Sequence, residues 1–245
     1  MKRYIYKQLL AWKNEKEHKP LILNGARQVG KTYILREFGR NEYKRMAFFC
    51  LDRDQKALEI FNKGGRATDM LMALSAICHE DITPHDTLVV LDEIQNCPKA
   101  LEALKFFCEE TPEIDIVVAG SLLGLSIHSG VSYPVGKVEE LHLYPMTFLE
   151  FLEAMGKTQL VNLLENKNWT VINMLETELI SSLRQYYYVG GMPAAVLAHI
   201  EKKGWKEVRR IQQQIITDYR RDFSKHAPTR EIPRINMVWD SIPAQ

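Results

Sequence analysis

Residues 25–32 read GARQVGKT, a glycine followed at fixed spacing by Gly-Lys-Thr. Gly25 and Gly30 permit backbone angles that a β-carbon penalises, so successive amides from Gly25 through Ala26, Arg27, Gln28, Val29, Gly30, Lys31, Thr32 and Tyr33 can turn toward one anion. The apolar run Leu21–Leu23 precedes this stretch and a helical pattern begins at Lys31. A helix amino terminus at that point adds partial positive charge. An ammonium at Lys31 can reach the β- and γ-phosphates of a nucleotide, and the Thr32 hydroxyl can ligate Mg²⁺. The competing interpretation is a glycine-containing turn with a surface lysine.

Such a loop needs an acidic partner for the cation. Thr87–Glu93 reads TLVVLDE, an apolar run ending in two carboxylates. A buried strand ending in Asp92 places its carboxylate at the carboxyl edge of the sheet, where the phosphate loop also opens. Asp92 is the expected second holder of Mg²⁺. Glu93 is expected to point differently because side chains alternate along a strand, leaving it free to orient and deprotonate an attacking water. A third apolar run, Ile114–Ala119, leads into Gly120-Ser121. If it lies between the other two strands, the Ser121 hydroxyl stands near the γ-phosphate and can report its presence. Gly120–Gly136 then holds four glycines and four serines. That composition suits either a plain connection or a nucleotide-sensitive interface.

These groups must be held by regular elements. Strand-like runs occur at Leu21–Leu23, Met46–Leu51, Leu88–Leu91 and Ile114–Ala119, with a weaker one, VEELHL, at Val138–Leu143. Helical stretches at Lys31–Phe38, Asp54–Asn62, Thr68–His79 and Lys99–Glu110 alternate with them. Strands alternating with helices predict an α/β fold, a parallel sheet covered on both faces. After Pro145 the strand pattern stops, and Thr147–Met155, Gln159–Leu164, Val171–Tyr188, Ala194–Lys202 and Lys206–Phe223 read as helices. Ile211, Ile215, Tyr219 and Phe223 form an apolar stripe with Val208, the mark of a core-facing helix. The division expected is a core over 1–145, a helical lid over 146–228, and 229–245 as the start of a further domain.

Composition narrows the class further. The 245 residues are 46% apolar and 26% charged, with 32 basic against 31 acidic side chains. A net charge of +1 gives no global field for nucleic acid or membrane. Residues 201–245 hold ten basic and six acidic groups, +4, which leaves −3 for residues 1–200. The four cysteines show no C-x-x-C spacing and the histidines form no H-E-x-x-H, so neither a disulfide framework nor a zinc site is expected. With no signal peptide or membrane-length apolar run, a reduced, cytoplasmic chain is the expectation.

Together these residues resemble the AAA-superfamily P-loop ATPases, and within them a prokaryotic branch whose ATPase core precedes a carboxy-terminal domain of unknown function. The resemblance rests on NGARQVGKT (24–32), LDEIQNCP (91–98), AGSLLG (119–124), YPMTFLEFL (144–152), YYYVGGMP (186–193), the run YRRDFSKH from Tyr219, and the ending WDSIPAQ. It implies a sheet in the order 5-1-4-3-2, followed by an α-helical subdomain. By resemblance Lys31 and Thr32 belong to Walker A, Asp92 and Glu93 to Walker B, and Ser121 to sensor 1; ATP and Mg²⁺ are the implied cofactors. Arg27 and Gln95 receive no role from it. Arg27 can touch phosphate or a neighbour, or stand exposed in the loop; Gln95 can position water or cap the loop. Many relatives carry Gly-Arg where this chain has Gly136-Lys137, which puts any bidentate contact there in doubt. Relatives also continue past WDSIPAQ into what resembles a winged-helix segment, which implies that this chain stops inside a domain.

The expected function is an Mg²⁺-dependent ATP-hydrolysing switch, slow as an isolated chain because no arginine finger is evident. Arg220 and Arg221 are candidates against a solvated helix end, and self-association or a partner can supply another. The alternative is a nucleotide-dependent binding module, with the positive carboxy-terminal stretch and whatever follows it contacting nucleic acid or protein. A small-molecule kinase fits less well, having no recognisable acceptor pocket. The nearest match to a guanine-reading N-K-x-D, Asn166-Lys167-Asn168-Trp169, lacks the final acid.

Overall fold

The computed structural model describes residues 1–121, 133–227 and 229–242, the side chains of 224–226 excepted. The chain divides into two compact units: Tyr4–Ala26 with Gly30–Leu143, and Met1–Arg3 with Arg27–Val29 and Tyr144–Gln245.

Five parallel strands build the first unit: β1 Leu21–Gly25, β2 Arg45–Cys50, β3 Thr87–Asp92, β4 Asp115–Ser121 and β5 Glu139–Leu143. Their order is β2-β3-β4-β1-β5, which read from the opposite edge is the expected 5-1-4-3-2. Every residue of β1, β3 and β4 is buried, as unbroken apolar runs in central strands require. β5 alternates until its last residue, the pattern of an edge strand with one covered face, and this is why VEELHL reads weakly. Register places Gly25 beside Ser121 and Cys50 beside Asp92, so the strands deliver their last residues to one edge.

Helices α1 Ile5–Asn14, α2 Lys31–Glu42, α3 Gln55–Lys63, α4 Ala67–Cys78 and α5 Pro98–Glu110 belong to this unit. The first was not foreseen. Its stripe of Ile5, Leu9 and Trp12 is buried, and the Trp12 indole donates to Lys19 O at 2.8 Å. Three apolar positions among charges are a short signal that only packing makes decisive.

At the start of β4, His18 Nε2 lies 2.8 Å from Asp115 Oδ1, with side chains 6% and 2% exposed. The hydrogen bond to Asp115 raises the His18 pKa although burial opposes it. The Tyr43 hydroxyl is pushed up by burial and by the same carboxylate, so it stays protonated. A raised folded pKa means that this stabilisation is complete below the unfolded histidine value of about 6.5 and is lost as pH rises through the folded value. His18→Gln keeps a neutral donor but cannot charge. We expect it to cost about 1–2 kcal/mol in denaturant unfolding near pH 5.5, with a smaller gap at about pH 9.

The second unit is helical: α6 Phe148–Ala154, α7 Thr158–Glu165, α8 Trp169–Met174, α9 Glu176–Val189, α10 Pro193–Ile200, α11 Trp205–His226 and α12 Ile232–Ser241. Thr147 and Glu150 form a reciprocal capping box at the start of α6. The single helix expected over Val171–Tyr188 is two, because Leu175 N bonds the carbonyls of both Val171 and Ile172 and tightens the last turn of α8. Met146, Phe151, Val189, Val196 and Val208 form the core. The motifs YPMTF and YVGGMP meet there: Met146 N donates to Gly191 O at 2.7 Å and Tyr186 Oη to Met146 O at 2.8 Å. A β-carbon on Gly191 would lie 2.3 Å from Met146 O, so this contact requires glycine. Among the described residues no helix is long and apolar enough to cross a membrane.

Candidate phosphate- and metal-binding site

The loop expected from the glycine spacing runs from the end of β1 at Gly25 to the start of α2 at Lys31. Gly30 has φ 100° and ψ 22°, left-handed angles that turn the chain into the helix. Gln28 is also left-handed, at φ 62°. Among the described residues no side chain caps α2 at Gly30, and the helix dipole at this end favours an anion. Lys31 Nζ donates to Gly25 O and Ala26 O, both at 2.8 Å, which places the ammonium within the loop. Tyr33 lies in the first turn of α2 and is 58% exposed.

Thr32 Oγ1 donates to Asp92 Oδ2 at 2.7 Å, across 60 positions of sequence. Asp92 is 4% exposed, and its Oδ1 accepts from Glu93 N at 3.1 Å. A hydroxyl and a carboxylate in contact offer two hard oxygen donors. Among the described residues no group of three or more His, Cys, Asp or Glu could cage a metal ion. The donor set therefore fits Mg²⁺, which keeps waters and shares phosphate oxygens rather than filling an all-protein site.

Glu93 departs from the expected geometry. β3 ends at Asp92, and Glu93 has φ 57° and ψ 45°, so a left-handed turn sets its direction, not strand alternation. A non-glycine residue in this region is uncommon and is held by its surroundings. Gln95, 4% exposed, donates from Nε2 to Glu93 Oε2, and its Oε1 accepts from Ser121 N at 3.3 Å. Ser121 is the last residue of β4, 4% exposed, and pairs in register with Gly25. The stretch after it, where an interface or a plain connection was expected, lies outside the described residues over 122–132.

The loop tip, Arg27–Val29, groups with the second unit, and its side chains are engaged there. Arg27 Nη1 lies 3.1 Å from Asp222 Oδ1, Tyr219 Oη donates to Arg27 O at 2.9 Å, and Gln28 Nε2 donates to Asp218 Oδ2 at 3.0 Å. Arg3 Nη1 donates to Val29 O at 2.8 Å and pairs with buried Glu150 at 3.1 Å. So Arg27 is a paired residue, not an exposed loop arginine. The YRRDF run supplies both Tyr219 and Asp222, a role that sequence spacing could not reveal. Arg27→Ala strips this cation from a carboxylate that is 3% exposed. Breaking a buried pair costs about 3–5 kcal/mol, and the partial exposure of Arg27 reduces that to about 1–2 kcal/mol. We expect that loss in thermal or denaturant unfolding, with ATP affinity moving less than about threefold (under ~0.7 kcal/mol). Weakened ATP binding at unchanged stability would instead assign Arg27 to phosphate.

Three further candidates lie elsewhere. Lys137 Nζ pairs with Glu109 Oε1 at 2.9 Å, both side chains 40% exposed; each shifts the other's pKa toward the charged form. Arg220 pairs with Asp240, and Arg221 lies 3.9 Å from Asp218 on its own helix. These arginines thus have carboxylate partners within their own unit.

Comparison with known proteins adds two matches along the chain. Residues 17–152 match the family model described as AAA domain, and residues 180–245 match one described as a domain of unknown function (DUF8612). No curated protein matches. Among solved structures, a chain of Drosophila ORC bound to DNA is 15% identical, with a TM-score of 0.47, over 86% of this chain and 65% of that one. Cdc6p of Pyrobaculum aerophilum is 18% identical, with a TM-score of 0.42, over 64% and 50%. A RuvB variant of Thermotoga maritima is 18% identical, with a TM-score of 0.37, over 62% and 48%. The chain spans less than two thirds of each.

Proposed function

Because the chain belongs to the AAA domain family, we propose that it binds ATP with Mg²⁺ and hydrolyses it to ADP and phosphate. The observation that carries this is the 2.7 Å contact between Thr32 and Asp92, which joins the glycine-loop hydroxyl to the strand-end carboxylate. In Walker terms Thr32 and Asp92 would hold the cation, which when bound neutralises phosphate charge. Lys31 and the amides of the glycine loop bind and orient the phosphates. Glu93 accepts the proton of the attacking water, and Ser121 reports on the γ-phosphate. The core over 1–145 supplies these groups; the helices over 146–228 act as the lid that nucleotide state moves.

Arg220 and Arg221 stand half or more exposed beside carboxylates of their own unit, so each stays a candidate that a second copy or a partner would receive in trans. An arginine in trans contributes roughly 10³–10⁵ in rate. The isolated chain should therefore release phosphate slowly, below about 0.1 s⁻¹, and faster with self-association or a partner. The test is phosphate release from ATP, GTP and ATP plus small acceptors, with Mg²⁺ and with chelator. Mg²⁺-dependent release from ATP supports the proposal. ATP binding with no turnover at any protein concentration would favour the nucleotide-dependent binding module, to which the +4 charge of residues 201–245 also points. No ATP binding would overturn both.

A further inference from the structure

Gln95 belongs to no phosphate- or metal-binding motif, yet it is 4% exposed and touches two site elements at once. Its amide has a defined orientation. Ser121 N–H can only donate, so Gln95 Oε1 must face it; the Glu93 carboxylate can only accept, so Nε2 must face Glu93. A flipped amide would set oxygen against carboxylate and N–H against N–H. Glu93 itself sits at φ 57°, where no strand geometry directs its side chain. Gln95 fixes it laterally. At its other end the amide is tied to the last residue of β4, which pairs with Gly25, the first residue of the phosphate loop.

We infer that Gln95 is a positioning residue for hydrolysis, holding the Glu93 carboxylate in register with the end of β4 and hence with the phosphate loop. This rests on Glu93 being the base. The side chain never touches the reacting atoms; it sets where the base points.

The test uses the full chain, with kcat, ATP affinity and unfolding midpoints. Gln95→Met keeps length and burial but neither hydrogen bond, and should lower kcat about 10- to 100-fold at unchanged ATP affinity, the scale of a misdirected catalytic group. Gln95→Glu is isosteric but sets a second carboxylate beside Glu93. The like charge should displace the Glu93 carboxylate and lower kcat by a similar factor, again at unchanged ATP affinity. On a Glu93→Gln background, neither change should lower the residual turnover further, because Gln95 acts through Glu93. Wild-type kcat in both Gln95 variants, with Glu93→Gln slow, would overturn this inference and leave the base assignment standing. Equal losses with and without Glu93 would overturn it as well, marking Gln95 as structural. Full turnover in Glu93→Gln would remove the base assignment, and the inference with it.

Discussion

Glu93→Gln should bind ATP as tightly as the unaltered chain and turn it over roughly 10²–10⁴-fold more slowly. The substitution preserves size and the left-handed backbone at φ 57°, and removes only the ability to accept a proton. The Thr32–Asp92 contact and the bonds of Lys31 Nζ to Gly25 O and Ala26 O run through other atoms, so nucleotide and cation affinity should persist. The measurement is phosphate release beside equilibrium ATP binding on the same preparation. A variant that binds ATP and turns over normally excludes Glu93 as the base. A variant that loses binding as well reports a disturbed loop, since Glu93 N also donates to Asp92. The amide at position 93 would still meet the Gln95 side chain, now as neutral with neutral, so the local geometry has a means to survive.

The sheet and its phosphate loop were legible because their signals are local. A run such as TLVVL must be buried on both faces, and the only polar residues at its end are the two carboxylates. The Thr32–Asp92 contact follows from two such strand ends meeting at one edge. The orientation of Glu93 was not legible, because alternation governs side chains only within a strand and β3 stops one residue earlier. The pairing of Arg27 with Asp222 leaves no periodic trace, since the two lie almost the whole chain apart and neither residue type demands the other. Leu175, which splits a helical stretch in two, looks like any other apolar position until its amide is seen to serve two carbonyls.

The same distinction gives the second large expectation its content. Lys31→Ala should weaken ATP binding by two orders of magnitude or more. Nζ donates at 2.8 Å to the carbonyls of both Gly25 and Ala26, so the ammonium already lies inside the loop and is aimed by it. Phosphate oxygens carry charge, and their hydrogen bonds to an ammonium contribute about 1.5–3 kcal/mol each. Losing about 3 kcal/mol is roughly a 150-fold rise in Kd. Lys31→Arg should rescue little of this. The guanidinium is planar and longer, and cannot take the compact position between the two carbonyls. Titration with ATP in Mg²⁺ reads the change directly, and thermal unfolding reads it independently. ATP stabilises the fold by RT ln(1 + [L]/Kd), so a concentration that gives about 2.7 kcal/mol to the unaltered chain should give about a tenth of that or less to Lys31→Ala. An ATP affinity within about threefold of the unaltered chain (~0.7 kcal/mol) would mean that the loop is a glycine turn with a surface lysine after all.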